Sequence, residues 1–262
     1  MVLDNSTIKR YGDELFDALT GRSTIKPLRD RVAGITIEDG YRIQERMVSR
    51  MVATGDNIVG KKIGVTSKAV QDMMQVFEPD FGQLTASMHN LTGAVLGVDS
   101  MIQPRLEGEI AFVLKRDLKG PGLTAVDVLA ATSHILPCFE IVDSRIENWD
   151  IRIQDTISDN ASCGAYVLGD APVDPRDVDL GLVGMLIEKN GEPVATGVGA
   201  AVQGSPVNSV VWLANRLGEL GVTFHAGEVV LSGSLAALIP VAAGDHVMAY
   251  FGGLGSCEVS FR

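Results

Sequence analysis

The stretch Pro104-Arg105-Leu106-Glu107-Gly108-Glu109-Ile110-Ala111-Phe112-Val113-Leu114 sets two carboxylates two residues apart in an otherwise apolar, strand-like run. Side chains two apart on a strand share a face. Glu107 and Glu109 therefore point the same way, with Gly108 opposite them, while Ile110, Phe112 and Leu114 mark the other face as buried. Adjacent like charges repel and need a reason to coexist. A second run, Ile135-Leu136-Pro137-Cys138-Phe139-Glu140-Ile141-Val142-Asp143, holds one carboxylate, Glu140, at the centre of an apolar strand. An unpaired charge there is costly. A divalent cation held by Glu107, Glu109 and Glu140 would relieve both problems. All-oxygen ligation suits a hard ion, so Mg²⁺ or Mn²⁺ is expected ahead of zinc, with water and substrate completing the sphere. The pattern equally allows Glu107 and Glu109 to lie on a solvated face while Glu140 pairs with Arg105 or Arg145.

Upstream of these strands the chain reads as helices. Ile8, Tyr11, Leu15, Phe16 and Leu19 recur at helical spacing, and Thr36-Ile37-Glu38-Asp39 offers a capping start for a second helix that Gly55 would stop. These helices form a small cap, the first region at residues 1–75, and a β-rich catalytic domain is expected over 76–262. Ile58 to Thr66 reads as a strand, Ser67 as the cap of a short helix through Met73 and Met74, and Glu78-Pro79-Asp80-Phe81-Gly82 as a turn. Lys61 and Lys62 face opposite ways in that strand, so at most one shares the site and the other is expected in solvent. Gly60 and Gly64 have the parity of Lys62 and leave room on its face for a ligand or another backbone.

Thr124-Ala125-Val126-Asp127 caps a helix through Ala131, a separator that lets the two glutamate strands become neighbours. The polar segment from Asp143 to Asn160, with Trp149, is either a lid or rim of the site or a solvated loop. Beyond Val167, strands dominate: a hairpin turns at Asn190-Gly191, Ser205-Pro206 opens a helix to Leu217 with the serine as cap, and strands follow at Val229, His246 and Cys257. Helices first and a strand-rich body after argue an α+β fold with a mixed or antiparallel sheet.

The chain has 262 residues, 46% hydrophobic and 21% charged, enough for a substantial core. A formal charge of −11 disfavours nucleic-acid backbones and anionic membranes as partners. Three cysteines, none in a Cys-x-x-Cys pair, suit a reducing cytoplasm, and no apolar run reaches membrane-spanning length. His89, His134, His225 and His246 have no partners at metal-ligand spacing and receive no role. Gly252-Gly253-Leu254-Gly255 and Gly197-Val198-Gly199 lack a strand–helix context and read as turns rather than phosphate loops. Ser232-Gly233-Ser234 ends a strand; it is a tight turn or, by its amides and hydroxyls, a cradle for a carboxylate.

With the Glu-x-Glu run, the segments Ile58-Val59-Gly60-Lys61-Lys62-Ile63-Gly64-Val65-Thr66-Ser67, Pro79-Asp80-Phe81-Gly82 and Asp159-Asn160-Ala161-Ser162-Cys163-Gly164 resemble the 2-oxopent-4-enoate hydratases of the fumarylacetoacetate hydrolase superfamily. The resemblance runs from about Gly12 to the end. It implies a mixed sheet rolled into an irregular barrel with the metal in its mouth, held by Glu107, Glu109 and Glu140. It also implies catalytic roles for Lys62 and Asp80 and a substrate-facing Ser162; Ser232 and Ser234, from the Ser-Gly-Ser turn, are further candidate substrate contacts. The related decarboxylase branch lacks the acidic residue at the Asp80 position, so Asp80 favours hydration. The implied reaction converts 2-oxopent-4-enoate (2-hydroxypenta-2,4-dienoate) to 4-hydroxy-2-oxopentanoate in aromatic catabolism by the meta-cleavage pathway. Its cation would chelate the C1 carboxylate and C2 oxygen while Lys62 and Asp80 move protons. A homo-oligomer, and a decarboxylase and an aldolase as pathway partners, are implied as well. Three rivals remain: decarboxylation on the same scaffold, hydrolytic carbon–carbon cleavage, and a non-catalytic partner subunit.

Overall fold

The computed structural model describes residues 3–262. In chain order it runs α1 (Asn5–Gly21), α2 (Ile37–Ala53), β1 (Ile58–Gly64), α3 (Lys68–Met74), β2 (Asp80–Thr85), β3 (His89–Leu91), β4 (Ala94–Leu96), β5 (Arg105–Leu114), α4 (Ala125–Ala131) and β6 (Thr132–Val142). It continues with α5 (Ile153–Ser158), β7 (Cys163–Leu168), β8 (Gly184–Lys189), β9 (Glu192–Val198), α6 (Pro206–Glu219), β10 (Val229–Leu231), β11 (Ile239–Pro240), β12 (His246–Phe251) and β13 (Gly255–Phe261). The larger sheet has the order β2-β1-β10-β5-β6-β7-β3, with β11 also on β5, and the smaller has the order β4-β13-β12-β8-β9. Both are mixed: β1 with β10, β3 with β7 and β4 with β13 run parallel, and the other pairs antiparallel. The α+β reading holds.

Local signals act where they were read. Thr36 and Asp39 close a capping box at α2, Thr124 and Asp127 do so at α4, and Ser67 accepts from Val70 N–H at α3. Asn190 and Gly191 turn the β8–β9 hairpin with φ of 57° and 82°, the mirror-image turn that suits strand twist. Ser205 occupies the cap position of α6, but its side chain makes no capping bond. The turn expected through Gly82 ends earlier, because β2 begins at Asp80.

The faces of the larger sheet have different partners. Ile110, Phe112 and Phe139 pack with α6 and the smaller sheet, and a Cβ on Gly108 would collide with Met185 and Ile187 of β8. On the other face Leu84, Ala111, Leu136, Cys138 and Leu231 meet Tyr11, Leu15, Ile43 and Met47 of the N-terminal helices. Within the first 75 residues, β1 enters the larger sheet at Ile58 between β2 and β10. The helices precede the sheet, but their core is its surface.

The polar segment after β6 is solvated only in its middle, where Glu147, Asn148, Asp150 and Arg152 are exposed, and its two ends are core. Arg145, fully buried, donates through Nε to Asp159 Oδ1 at 2.5 Å and through Nη1 to the carbonyls of Asp143 and Cys163 at 2.5 and 2.9 Å. Asp155 and Asp159 are equally enclosed, Asp155 pairing with Arg29 at 2.7 Å. Such charges are tolerable in a core only when paired and hydrogen-bonded. This network sets the backbone immediately before β7.

Candidate active site

Register brings the predicted residues together. Glu107 lies opposite Glu140 across the β5–β6 pair, and Glu109 opposite Cys138, so the three carboxylates share one face. One oxygen from each lies within 4.8 Å of the others. Glu109 and Glu140 are completely buried and Glu107 half-buried, which removes the solvated-face alternative. The arginine alternative fails too: Arg145 is committed to Asp159, and Arg105 stacks on Trp149 at 4.5 Å.

The partner of Glu140 is Lys62, whose Nζ stands 3.0 Å from Oε1 in a geometry that makes an ion pair without a hydrogen bond. Burial pushes the Lys62 pKa down, but the charges of Glu140 and Asp80 outweigh it and hold the ammonium above its ordinary pKa. Lys62 pairs in register with Gly82, and Gly64 with Asp80, so Asp80 faces the same side. A Cβ on Gly64 would stand 2.3 Å from Asp80 Oδ1 and 3.7 Å from Lys62 Nζ. Both groups reach into the space that this glycine leaves empty. Burial, offset by Lys62 and reinforced by Glu140, raises Asp80 to about 6. Burial and the neighbouring carboxylate of Glu140 likewise push Glu107 up to about 8 and Glu109 well above the usual range.

Burial, the main cause of the carboxylate shifts, also leaves several of these oxygens unsatisfied. Glu109 Oε1, both oxygens of Glu140 and both of Asp80 are buried without a hydrogen-bond partner. Buried polar atoms are normally paired. Three orphaned glutamate oxygens on one face, with Glu107 beside them, fit a hard divalent cation, which would supply the missing counter-charge. Glu109 Oε2 is already fixed by Gly233 N–H at 2.8 Å. Gly233 has φ 107°, and a Cβ there would press on Thr66 at 2.5 Å, so only glycine can present this amide.

The three serines fare differently. Ser232 Oγ is buried and unpartnered, whereas Ser234 Oγ donates to Ala236 C=O at 2.7 Å and closes a local turn. Ser162, almost fully buried, lies 3.4 Å from Asp159 Oδ2. Lys61 does not reach solvent: its Nζ meets Glu228 at 2.6 Å and lies over the Phe224 ring. The histidines lie apart, with His89 on Tyr166, His225 on Asp117 and His246 on Ser260. An open cavity of about 350 Å³ lies between Thr66 and Pro79 on one side and Ala200, Ala201 and Trp212 on the other, and none of the five site residues lines it.

Gly64→Ala is expected to displace Asp80 while leaving the glutamates in place. A shift of about 1 Å can cost roughly 10²-fold in rate. Turnover should fall on that scale with cation affinity kept; unchanged turnover would mean that the placement of Asp80 is immaterial.

A mixed sheet that converges three glutamates, a lysine and an aspartate on one face defines an acid–base enzyme built around a donor set for a divalent cation. The C-terminal fumarylacetoacetate hydrolase family model matches residues 50–262. The chain belongs to that family, within its 2-hydroxypentadienoate (2-keto-4-pentenoate) hydratase branch, and is a hydro-lyase. It is 52% identical over 260 residues, 98% of both chains, to a 2-hydroxyhexa-2,4-dienoate hydratase of Comamonas testosteroni. It is 56% identical to a 2-hydroxypent-2,4-dienoate hydratase of Pseudomonas putida, over 84% of this chain and all of the relative. Among solved structures, 4-oxalocrotonate decarboxylase from Pseudomonas putida G7, complexed with magnesium and adipate, superimposes with a TM-score of 0.96 over 100% of this chain and 99% of its own, at 35% identity.

Proposed function

We propose that this hydratase acts on 2-hydroxypenta-2,4-dienoate, the dienol of 2-oxopent-4-enoate, to give 4-hydroxy-2-oxopentanoate. The observation that carries the reading is the buried pair Lys62 and Asp80, with both Asp80 oxygens unpartnered, beside the converging glutamates. Bound by Glu107, Glu109 and Glu140, Mg²⁺ or Mn²⁺ supplies Lewis-acid polarisation of the substrate's 2-oxo group. The decarboxylase that shares the fold was solved with magnesium, in keeping with that choice.

Lys62 Nζ, paired with Glu140 at 3.0 Å, is placed to move a proton and to face the anionic substrate. Asp80, two unpartnered oxygens facing the same space, can accept or deliver a proton and orient a water. The dienol loses its hydroxyl proton and gains one at C5; the oxygen of water then bonds to C4 while a proton arrives at C3. Lys62 and Asp80 are the two groups placed for these transfers. Ser232, with its free buried hydroxyl, and Ser162, at the end of the Asp159–Ser162 segment, are assigned to substrate binding. Ser234 is less suited, its hydroxyl being spent on Ala236.

The product of the purified enzyme tests the reading. Loss of the dienol with formation of the 4-hydroxy acid supports it. Release of CO₂ from the dicarboxylic analogue, with no hydration of the dienol, would assign the chain to decarboxylation, and absence of any turnover would leave it a partner subunit.

The chain also works as a homo-oligomer in the cytoplasm, its product passing to an aldolase. Supporting association, β9 is an outer strand with Val194 and Val198 exposed, a surface that monomers usually protect. A monomer by sedimentation at micromolar concentration would contradict it. Among the described residues no helix is long and apolar enough to cross a membrane.

A further inference from the structure

The strand that carries Asp80 is an outer one. Among the described residues β2 has β1 on one side and no strand on the other, so its outward backbone groups, at Phe81 and Gln83, need partners from elsewhere. Two side-chain amides provide them. Asn160 Oδ1 accepts from Gln83 N–H at 2.8 Å, and Asn160 Nδ2 donates to Gln83 C=O at 2.9 Å. Gln44 of α2 donates to Phe81 C=O at 2.9 Å and to Ile157 C=O at 3.0 Å. The Asn160 amide, with one donor and one acceptor, thus pairs with β2 as the backbone of a neighbouring strand would.

Asn160 stands just before β7, which lies near the opposite margin of the same sheet. One side chain therefore clasps the two margins of the curled sheet. The backbone around it is held in an unfavourable shape for the purpose. Asn160, Ala161 and Ser162 have φ of 53°, 49° and 56°, a left-handed run that non-glycine residues adopt only when their surroundings impose it. Arg145 imposes it from one end by gripping Asp159. From the other end, the Asn160 carbonyl lies 2.5 Å from where a Cβ of Gly82 would stand, so β2 and this segment fit together only through a glycine. Gly82 is two residues from Asp80 and shares its face.

We propose that Asn160 is a positioning residue: by pairing with Gln83 it fixes the strand that carries Asp80, and so sets the Asp80 carboxylate against Lys62. The inference rests on the proton-transfer role proposed for Asp80. Asn160 acts through that residue.

The test is a double-mutant cycle on the metal-loaded enzyme, with kcat, KM and Tm measured for Asn160→Gly, Asp80→Asn and the pair. Glycine tolerates the left-handed backbone and removes only the clasp. Asn160→Gly is expected to lower kcat by roughly 10- to 10²-fold, the scale of a small misplacement, with KM within about threefold. Added to Asp80→Asn it should cost nothing further, because the group it positions is already gone. Full activity of Asn160→Gly, or an equal loss in both backgrounds, would overturn the proposal while leaving the role of Asp80 standing. Full activity of Asp80→Asn alone would remove that role and this inference with it. Asn160→Asp, isosteric and still an acceptor for Gln83 N–H, is taken through the same cycle in case the glycine variant does not fold, with the same non-additivity expected.

Discussion

Glu109→Gln is expected to abolish metal-dependent turnover, a loss of at least about 10²- to 10³-fold, the scale seen when one electrostatic group is removed from an active site. The local geometry makes the substitution more damaging than loss of a charge. Gly233 N–H donates to Glu109 Oε2, so a glutamine must turn its carbonyl oxygen there. Its NH₂ then faces the point where Glu109 Oε1 now stands orphaned among Glu107 and Glu140. A donor would meet the cation where an acceptor is required. The fold should survive, since the amide keeps the shape and the Gly233 contact and relieves the repulsion among buried carboxylates. Calorimetric titration with Mg²⁺ or Mn²⁺ should find affinity lost and Tm preserved. Wild-type turnover in this variant would remove Glu109 from the ligand set.

Asp80→Asn is expected to lower kcat by roughly 10²-fold or more while cation and inhibitor binding persist, the usual scale of a general acid–base group. A residue after proline in a turn could instead cap local amides, and asparagine would then replace it almost silently. The structure weighs against that alternative: Asp80 begins a strand, and neither of its oxygens has a hydrogen-bond partner. Measuring kcat alongside binding of an oxalate-like inhibitor separates the cases. Full activity refutes the catalytic role, and lost inhibitor binding would point to a damaged site.

Much of this centre was legible because the rules that place it are local. Period-two alternation put Glu107 and Glu109 on one face, and α4 between two apolar runs made them neighbours of Glu140. Parity also put Gly64 with Lys62. What sequence could not supply were partners distant along the chain. Lys61 looked destined for solvent because its acceptor, Glu228, arrives 167 residues later. The stretch from Asp143 to Asn160 reads as a lid, a rim or a solvated loop because its composition is polar; only in three dimensions does Arg145 close on Asp159 and make its two ends core. The pairing that sets β1 between β2 and β10 is likewise invisible to composition. The clasp at Asn160 left one trace in the sequence, the Asp159-Asn160-Ala161-Ser162 motif, whose purpose depends on an outer strand that no local pattern identifies.

Glu107, Glu109 and Glu140 are proposed to hold a cation without which hydration does not proceed. The most direct measurement follows the ultraviolet absorbance of 2-hydroxypenta-2,4-dienoate with chelator-stripped enzyme as Mg²⁺ is added back. Loss of turnover on stripping and saturable recovery on addition are expected, with 4-hydroxy-2-oxopentanoate as product. Full turnover by enzyme shown to be free of divalent metal would contradict the proposal.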